Sequence, residues 1–349
     1  MQQPPGYANP DKPTYVCKLK KAIYGLKQAP RAWNNTLKTA LLGWGFNNSR
    51  SVSSLFIYKG GQFIILLLVY VDDVILIGNS VSLIDKLISA LDSWFALKDL
   101  GRLSYFLGIQ VEYIDRGLHL NQSKYVSDLL LKLNMGHLKP APTPSVLGTK
   151  LSLTDGTPMT DPFIYRSTIG ALQYLTNTRP DICYIVNHLS QFLQRPTDVH
   201  WQAVKRVLRY LTGPLSVGLL FQPDDILSLT AFSDADWASN IDDRLSVAGY
   251  CVFLGRSLVS CSSKKKSVVA RSSTESEYRA LAHAAAEITW LRQLLYEIGV
   301  PIRTKPVLWC DNMSAGALAT NPVFHACTKH IEIDVHFVRD QVLRGDLTV

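Results

Sequence analysis

Cysteine is scarce in this 349-residue sequence, and its placement excludes the usual cysteine-based scaffolds. The six cysteines are scattered and none forms a C-x-x-C pair, so neither a disulfide framework nor a zinc ribbon is predicted. His325, Cys327 and His330 lie close in sequence, but three loosely spaced candidates without a fourth favour unrelated polar residues over a zinc site. A reducing, intracellular setting is expected.

Signals for secretion and for membrane insertion are also lacking. The N-terminus, MQQPPGYANPDKPTY, has neither the basic start nor the apolar core of a signal peptide. The apolar stretch FIILLLVYVDDVILIG at 63–78 is interrupted by two carboxylates, whereas a membrane-spanning helix needs about 20 apolar residues with few or no charges. No membrane partner is expected.

The bulk composition is that of a globular chain with a basic surface. A hydrophobic content of 47% over 349 residues suffices for a sizeable core divided into two or three domains. Lys and Arg outnumber Asp and Glu by 36 to 28, for a net charge of +8 and a pI near 9.1. This balance fits an anionic partner such as nucleic acid, although many basic proteins bind none.

Asp72 and Asp73 stand side by side within the apolar stretch. The flanking segments are short and rich in β-branched residues, which predicts two strands of a hairpin with the acidic pair at the bend. One interpretation is an ordinary solvated turn, where aspartate is common. The other is a metal site, because adjacent like charges are best tolerated with a cation such as Mg²⁺ between them. The residues alone leave both open.

Alternating strand and helix patterns along the chain predict an α/β (α+β) fold. The predicted elements are a helix from the Gln28–Pro30 turn through Leu41, a helix over 81–97, a strand in 103–113, a helix in 122–135 and largely helical structure over 163–212. Residues 139–162 are rich in Pro, Thr and Ser, the composition of a connection. The predicted domains are 1–138, 139–226 and 227–349.

From residue 227 the predicted order is three strands, a long helix, a strand and a helix, the running order of the ribonuclease H fold. Asp234 ends the first of these strands and Asp311 the fourth. Glu277 lies on the helix stripe that should pack against the sheet. It could instead serve a capping box with Thr274, but Ser272 and Glu275 offer the same box.

A carboxylate facing the core is costly without a partner but stable when it shares Mg²⁺ with other acids. We therefore favour a two-metal site formed by Asp234, Glu277 and Asp311 over capping alone. Positive charge beside this site comes from a run of basic residues, Lys264, Lys265, Lys266 and Arg271. These residues either contact phosphates or form a solvated basic loop.

Seven motifs in order resemble the pol polyprotein of copia-type LTR retrotransposons, over essentially the whole chain. They are YGLKQAPRAW at 24–33, YVDD at 70–73, LGRLSYFLGIQVEY at 100–113, SDADWA at 233–238, SSTESEYRAL at 272–281, DNMSAGALATNPVFHACTKHIEID at 311–334 and HFVRD at 336–340. The resemblance implies a partial reverse transcriptase palm, thumb and connection followed by a ribonuclease H-like mixed-sheet domain.

The resemblance also implies roles for individual residues, with Mg²⁺ or Mn²⁺ as the cofactor. The implied catalytic and metal-binding residues are Asp72, Asp73, Asp234, Glu277 and Asp311. The implied substrate-binding residues are Lys27, Gln28, Arg31, Tyr70, Lys264 and Lys265. The activities implied are RNA-directed DNA synthesis and cleavage of RNA in RNA–DNA hybrids.

The partners that the resemblance implies are an RNA template, a DNA primer, an RNA–DNA hybrid, deoxynucleoside triphosphates and the remainder of the polyprotein. It further implies a cytoplasmic virus-like particle, and the nucleus at the stage of DNA integration.

Two departures from the family pattern are expected to limit activity. The third palm aspartate of the family lies upstream of a segment like Met1–Gln3, and the fourth ribonuclease H carboxylate lies beyond a segment like GDLTV. Glu332 and Asp334 precede that position and are not assigned to it. We therefore expect a chain truncated at both ends, without measurable DNA synthesis and with at most weak hybrid cleavage. The alternatives are a noncatalytic nucleic-acid-binding remnant, or a fragment that does not fold alone because its sheet edges are exposed.

Overall fold

The computed structural model describes residues 1–20, 23, 25–95, 97–213, 215–300, 302–321 and 331–349. The chain forms two compact units, Met1–Asp99 and Leu100–Val349. Both are mixtures of helices and sheets, which confirms the predicted mixed α/β fold class. The loosely spaced candidates His325, Cys327 and His330 lie outside the described residues.

The first unit is a four-stranded antiparallel sheet with two helices. Its elements are α1 (Ala29–Gly43), β1 (Asn47–Asn48), β2 (Leu55–Gly60), β3 (Phe63–Tyr70), β4 (Asp73–Gly78) and α2 (Val81–Phe95). The strands lie in the order β1-β2-β3-β4. The predicted β3–β4 hairpin and both predicted helices are confirmed, whereas β2 was not predicted.

Burial in this unit follows the two periodicities of strand and helix. Alternate residues of β3 point into the core, where they meet residues four apart on each helix: Ile65, Leu67 and Val69 from β3, Leu37 and Leu41 from α1, Leu87 and Leu91 from α2. The intervening β3 residues stay partly exposed. Both helices therefore pack through one core with β3, which holds the hairpin in place.

The second unit begins with a small sheet and a group of helices. Its first elements are β5 (Tyr105–Phe106), β6 (Ile109–Ile114), β7 (Gly117–Asn121), α3 (Ser123–Lys132), α4 (Pro162–Leu175), a 3-10 turn (Pro180–Ile182), α5 (Cys183–Ser190), α6 (Asp198–Leu211) and β8 (Leu219–Phe221). The four strands pair antiparallel in chain order. Strands β7 and β8 were not predicted.

The core of these helices extends across the predicted boundary after residue 138. Val126 and Leu129 of α3 share one buried cluster with Ile169 of α4 and with Val204 and Leu208 of α6. Helix α3 therefore packs with the helical region rather than apart from it. The assignment of 1–138, 139–226 and 227–349 to separate functional regions remains a prediction.

The last part of the second unit has the predicted order of strands and helices. Its elements are β9 (Leu229–Asp236), β10 (Val247–Leu254), β11 (Ser257–Lys265), α7 (Ser273–Glu297), β12 (Val307–Cys310), α8 (Met313–Thr320) and α9 (Glu332–Leu343). The sheet order is β11-β10-β9-β12, with β12 parallel to β9 and the other pairs antiparallel. Gly255, with φ +57°, makes the tight β10–β11 turn. Helix α9 was not predicted.

None of the helices in the described part of the chain combines the length and the apolar character that crossing a membrane requires.

Candidate active sites

Two of the predicted acids lie on neighbouring strands of one sheet. Asp311 directly follows β12, as predicted, whereas β9 runs two residues beyond Asp234, to Asp236, so Asp234 does not end its strand. Strands β9 and β12 run parallel, and Ser233 is the register partner of Cys310. Asp234 and Asp311 are the residues that directly follow this pair, so they follow adjacent positions of two strands spaced about 4.8 Å apart. Both are exposed. The parallel insertion of β12 beside β9 therefore brings together two carboxylates that are far apart in sequence.

The N-terminus of α7 is capped without the help of Glu277. The Ser272 side chain accepts a hydrogen bond from the Glu275 N–H at 3.2 Å, as an N-cap serine does. The Glu275 carboxylate accepts from the Arg271 N–H at 2.8 Å and pairs with Arg279 at 2.9 Å. Ser272 and Glu275 therefore cap α7, and Glu277 is not needed for capping.

Glu277 is a buried carboxylate that faces Asp234 and Asp311. It is 7% exposed, and its Oε2 atom has no hydrogen-bond partner among the described residues. Burial raises the pKa of Glu277 to about 7, and the charges of Asp234 and Asp311 add to the rise, whereas a hydrogen bond from the Ala235 backbone opposes it. An ionised carboxylate in these surroundings would be stabilised by a cation.

A thiol completes the tightest group of ligand atoms. Among the described residues, the one set of three metal-binding side chains with ligand atoms all within 4.8 Å of one another is Glu277, Cys310 and Asp311. Asp234 lies outside this set, although its charge acts on Glu277. Burial raises the pKa of Cys310, and the charges of Glu277 and Asp311 raise it further.

Sequence reasoning missed Cys310, although a signal was present. Alternate residues of a strand point to the same face of a sheet, so Cys310, two positions after the buried Leu308, points to the α7 side, where Glu277 lies.

Two further contacts fix the backbone around these acids. The Asn312 side chain accepts a hydrogen bond from the Ala315 N–H at 2.9 Å and caps α8, so the chain turns from strand to helix directly after Asp311. The Trp237 Nε1 donates to the Ala270 carbonyl at 3.0 Å. This bond ties the segment after Asp234 to the segment before α7, so two ligand-bearing elements are held together.

The predicted basic residues beside this site occupy different surroundings. Lys265 Nζ pairs with Asp243 at 2.6 Å, while Lys264 is exposed. Lys264 and Lys266 line a cavity of about 290 Å³ together with His283 and Glu287. Burial lowers the pKa of Lys266 to about 8. The run therefore presents one exposed ammonium group and two that are partly enclosed.

The hairpin of the first unit presents Asp72 and Asp73 at its tip, as predicted. Tyr70 and Asp73 are register partners that close the ladder, leaving Val71 and Asp72 as a two-residue loop. Val71 has φ +52°, a left-handed conformation that is strained for a β-branched residue. Tyr70 and both aspartates are exposed. The acidic pair thus stands on a strained, solvent-facing turn.

Helix α1 holds this turn from the side. The Trp33 Nε1 donates a hydrogen bond to the Val71 carbonyl at 2.8 Å. The Trp33 ring packs edge-on against Phe95 of α2, with centroids 5.1 Å apart. A tryptophan anchored in the helix layer therefore fixes the strained residue that precedes Asp72.

The predicted substrate-binding residues near the hairpin lie around the start of α1. Gln28 occupies the N-cap position of α1, where its side chain makes no capping hydrogen bond. Lys27 and Arg31 are exposed on either side of it. Trp33 lies in the first turns of the same helix, so the helix that carries Gln28 and Arg31 is also the one bonded to the hairpin tip.

Comparison with known proteins finds relatives over the whole chain. A reverse transcriptase (RNA-dependent DNA polymerase) family profile matches residues 1–147. The chain is 50% identical, over all its 349 residues, to the retrovirus-related Pol polyprotein from transposon RE2 of Arabidopsis thaliana, covering 24% of that protein. It is 38% identical to the Pol polyprotein from transposon TNT 1-94 of Nicotiana tabacum, over 98% of this chain and 26% of that protein.

A yeast relative is matched over nearly its whole length. The chain is 33% identical to the putative transposon Ty5-1 protein of Saccharomyces cerevisiae, over 82% of this chain and 94% of that protein. It spans about a quarter of the length of the two plant polyproteins. These matches confirm the family resemblance that the seven motifs predicted. The chain belongs to the reverse transcriptase family of copia-type, retrovirus-related Pol polyproteins.

Proposed function

We propose that this chain carries the metal-dependent ribonuclease H site and part of the polymerase site of a retrotransposon Pol polyprotein. The observation that carries the ribonuclease H half is the convergence of Asp234, Glu277 and Asp311 from β9, α7 and the end of β12. Glu277 Oε2 is buried with no hydrogen-bond partner among the described residues. A buried carboxylate oxygen without a partner lowers the stability of the folded state, and a bound cation would remove this free-energy cost.

The residues present fit Mg²⁺ or Mn²⁺, since these ions prefer oxygen ligands and these acids supply carboxylates. Asp234, Glu277 and Asp311 would hold the ions. Held by these carboxylates, such ions would supply activation of a water and stabilisation of the leaving oxygen. Lys264, beside the site, would attract the phosphate backbone of an RNA–DNA hybrid. Trp237 and Asn312 keep the ligand-bearing elements in position through their own hydrogen bonds.

The hairpin supports the polymerase half of the proposal. Asp72 and Asp73 would supply two of the metal-binding carboxylates for nucleotidyl transfer. Trp33 restrains the turn that presents them, and preorganised ligands are what such catalysis requires. By family membership, Lys27, Gln28, Arg31 and Tyr70 would border the nucleotide and the template.

The wider assignments form part of the same proposal. The partners would be an RNA template, a DNA primer, their hybrid, deoxynucleoside triphosphates and the rest of the polyprotein. The setting would be a virus-like particle in the cytoplasm, followed by the nucleus during DNA integration. The functional division would follow residues 1–138, 139–226 and 227–349.

Cleavage of a labelled RNA–DNA hybrid tests the ribonuclease H half. The purified chain is incubated with Mg²⁺ or Mn²⁺ beside the variants Asp234→Asn and Asp311→Asn. Asp340→Asn is the matched control, because Asp340 is an exposed acid that faces Arg344 at 3.8 Å on α9. We expect cleavage that is lost in the first two variants and kept in the control. Equal cleavage by all of them would indicate a contaminating nuclease and would refute the assignment.

Template-directed primer extension tests the polymerase half. The variant Asp73→Asn is compared with Asp85→Asn, an exposed acid on α2. Extension that disappears in Asp73→Asn and persists in Asp85→Asn would support the role of the hairpin. Extension that survives in Asp73→Asn would refute it.

The noncatalytic alternative predicts a different pattern in a binding assay. A binding remnant would hold the hybrid with an affinity that falls steeply with salt, and neither Mg²⁺ nor Asp73→Ala would change that affinity. Hybrid binding of this kind, by a folded chain that cleaves nothing, would favour the remnant over the enzyme.

A further inference from the structure

Three cysteines meet on the face of the β9–β12 sheet that α5 covers. Cys183 is the first residue of α5, Cys251 lies on β10 and Cys261 lies on β11. The three are free thiols and each is partly exposed. The Asn187 side chain of α5 also donates to the Ser263 carbonyl of β11, so the helix is seated on the strand beside the thiols.

Cys261 is the central member of this thiol cluster. Its sulfur lies 3.4 Å from that of Cys251, and it also interacts with the Cys183 side chain, whose helix is bonded to β11 through Asn187. Cys183 and Cys251 influence each other through charge. Cys261, which interacts with both, is the thiol that can bond with either neighbour.

The backbone already suits a bond between Cys251 and Cys261. The two residues are direct register partners on adjacent antiparallel strands. Cα atoms of such partners lie about 4.5–5.5 Å apart, within the range of about 4.4–6.8 Å that disulfides span. Rotation of the side chains alone would close the bond.

The outer thiols are the more reactive members of the cluster. Hydrogen bonding to Cys261 lowers the pKa of Cys183 to about 7 and that of Cys251 to about 7. The same two bonds raise the pKa of Cys261. Cys183 also stands at a helix N-terminus, which favours a thiolate. Near neutral pH a nucleophilic thiolate is thus available on either side of Cys261.

We propose that Cys183, Cys251 and Cys261 form a thiol–disulfide exchange site that reacts with a small-molecule disulfide such as oxidised glutathione. The Cys251 thiolate attacks one sulfur of that disulfide, and one glutathione thiolate leaves. The Cys261 sulfur, giving up its proton, then attacks the Cys251 sulfur, and the second glutathione thiolate leaves. Two protein thiols are oxidised to one disulfide, and one glutathione disulfide is reduced to two thiols.

A third step moves the new bond. The Cys183 thiolate attacks the Cys261 sulfur, the electron pair of the old bond leaves with Cys251, and Cys251 takes a proton from water. The bond then joins α5 to β11 instead of joining two adjacent strands. Oxidation would thereby tie the helical region to the sheet that carries Asp234. This exchange does not depend on the proposed hydrolysis or polymerisation.

Disulfide mapping of the intact chain tests the proposal. The folded protein is incubated with oxidised glutathione near pH 7.5, trapped with an alkylating reagent, digested and analysed by mass spectrometry without reduction. We expect Cys261 linked to Cys251 or to Cys183. In Cys251→Ser the Cys183–Cys261 link should be the sole internal product, and in Cys183→Ser the Cys251–Cys261 link. Exposed Cys17 should carry glutathione in every sample and so reports that the oxidant was active.

Three outcomes would overturn the proposal, and the first needs only the unaltered protein. One is glutathione on Cys17 with no internal link that includes Cys261. Another is a main internal link that involves Cys310 or Cys327. The third is an internal link between Cys183 and Cys251 in a folded Cys261→Ser variant, which would show that Cys261 is not the shared partner.

Discussion

Replacing Glu277 by glutamine should make the metal-free chain more stable at neutral pH, although it removes a proposed metal ligand. In the folded state the carboxylate is 7% exposed and faces two further acids. Its pKa moves from 4.5 to about 7, which makes the folded state ~3 kcal/mol less favourable at pH 8. The introduced amide carries no charge but keeps a buried polar group, a cost of ~1 kcal/mol. The expected net gain is about 2 kcal/mol.

The pH dependence fixes the sign of this prediction. Below pH 4.5 the carboxyl group is protonated in both the folded and the unfolded chain, so Glu277→Gln has no charge to remove. Between pH 4.5 and about 7 the unfolded chain ionises first, which favours unfolding of the wild type but not of the variant. The difference in the free energy of unfolding between variant and wild type should therefore grow over this interval and stay constant above it.

Thermal unfolding followed by circular dichroism at pH 4 and pH 8, with a chelator present, measures the effect. At ~2–4 °C per kcal/mol for a unit of this size, the variant should melt ~4–8 °C above the wild type at pH 8. At pH 4 only the ~1 kcal/mol cost of the buried amide remains, so the variant should melt ~2–4 °C below the wild type. Glu275→Gln is the matched control, because Glu275 is equally buried but pairs with Arg279. That variant should melt below the wild type.

Addition of Mn²⁺ should reverse the ranking at pH 8. A cation bound by the carboxylates stabilises the folded wild type by mass action, whereas the glutamine variant has lost a charged ligand. A Glu277→Gln variant that melts at or below the wild type at pH 8 without metal would refute the argument that Glu277 is a strained, unpaired carboxylate. Equal stabilisation of both proteins by Mn²⁺ would refute its role as a ligand.

Three further predictions follow from contacts elsewhere. Trp33→Phe removes the hydrogen bond to the Val71 carbonyl while keeping a ring against Phe95. We expect the free energy of unfolding to fall by ~1 kcal/mol and backbone hydrogen exchange at residues 70–73 to become faster. Unchanged exchange would contradict the role of Trp33 in restraining the turn. Asp181→Asn leaves the 3%-exposed Arg179 without its charged partner, which should lower the free energy of unfolding by ~2 kcal/mol. Burial raises the pKa of Asp181, but Arg179 lowers it to below 3.8. The difference in melting temperature between variant and wild type should therefore vanish as the pH falls below the pKa of Asp181. Cys310→Ser, in a Cys261→Ser background, should weaken Cd²⁺ binding more than Mn²⁺ binding in calorimetry, because thiolate favours the softer ion; equal losses would show that Cys310 is not a ligand.

The local elements of both candidate sites could be predicted from sequence because their signals lie within a few neighbouring residues. The apolar run around Asp72 and Asp73 predicted the β3–β4 hairpin and its tip, since period-2 burial and a short bend are local properties. The apolar stripe that contains Glu277 predicted α7 and the side of that helix that faces the sheet. Strands such as β5 and β8, of two and three residues, are too short to carry a period and were missed or merged.

Tertiary structure decided which of these residues meet. The hydrogen bond from Trp33 to Val71 joins residues 38 positions apart, and no local pattern marks it. Cys310 joins the acids only because β12 enters the sheet parallel to β9, and the cluster of Cys183, Cys251 and Cys261 exists only because α5 is seated on β11. The β3–β4 hairpin, α7 and the acids that they carry follow from local patterns, because short-range sterics and apolar periodicity act between near neighbours. Strand order and the thiol contacts depend on burial summed over residues far apart in the chain, which only the folded structure reveals.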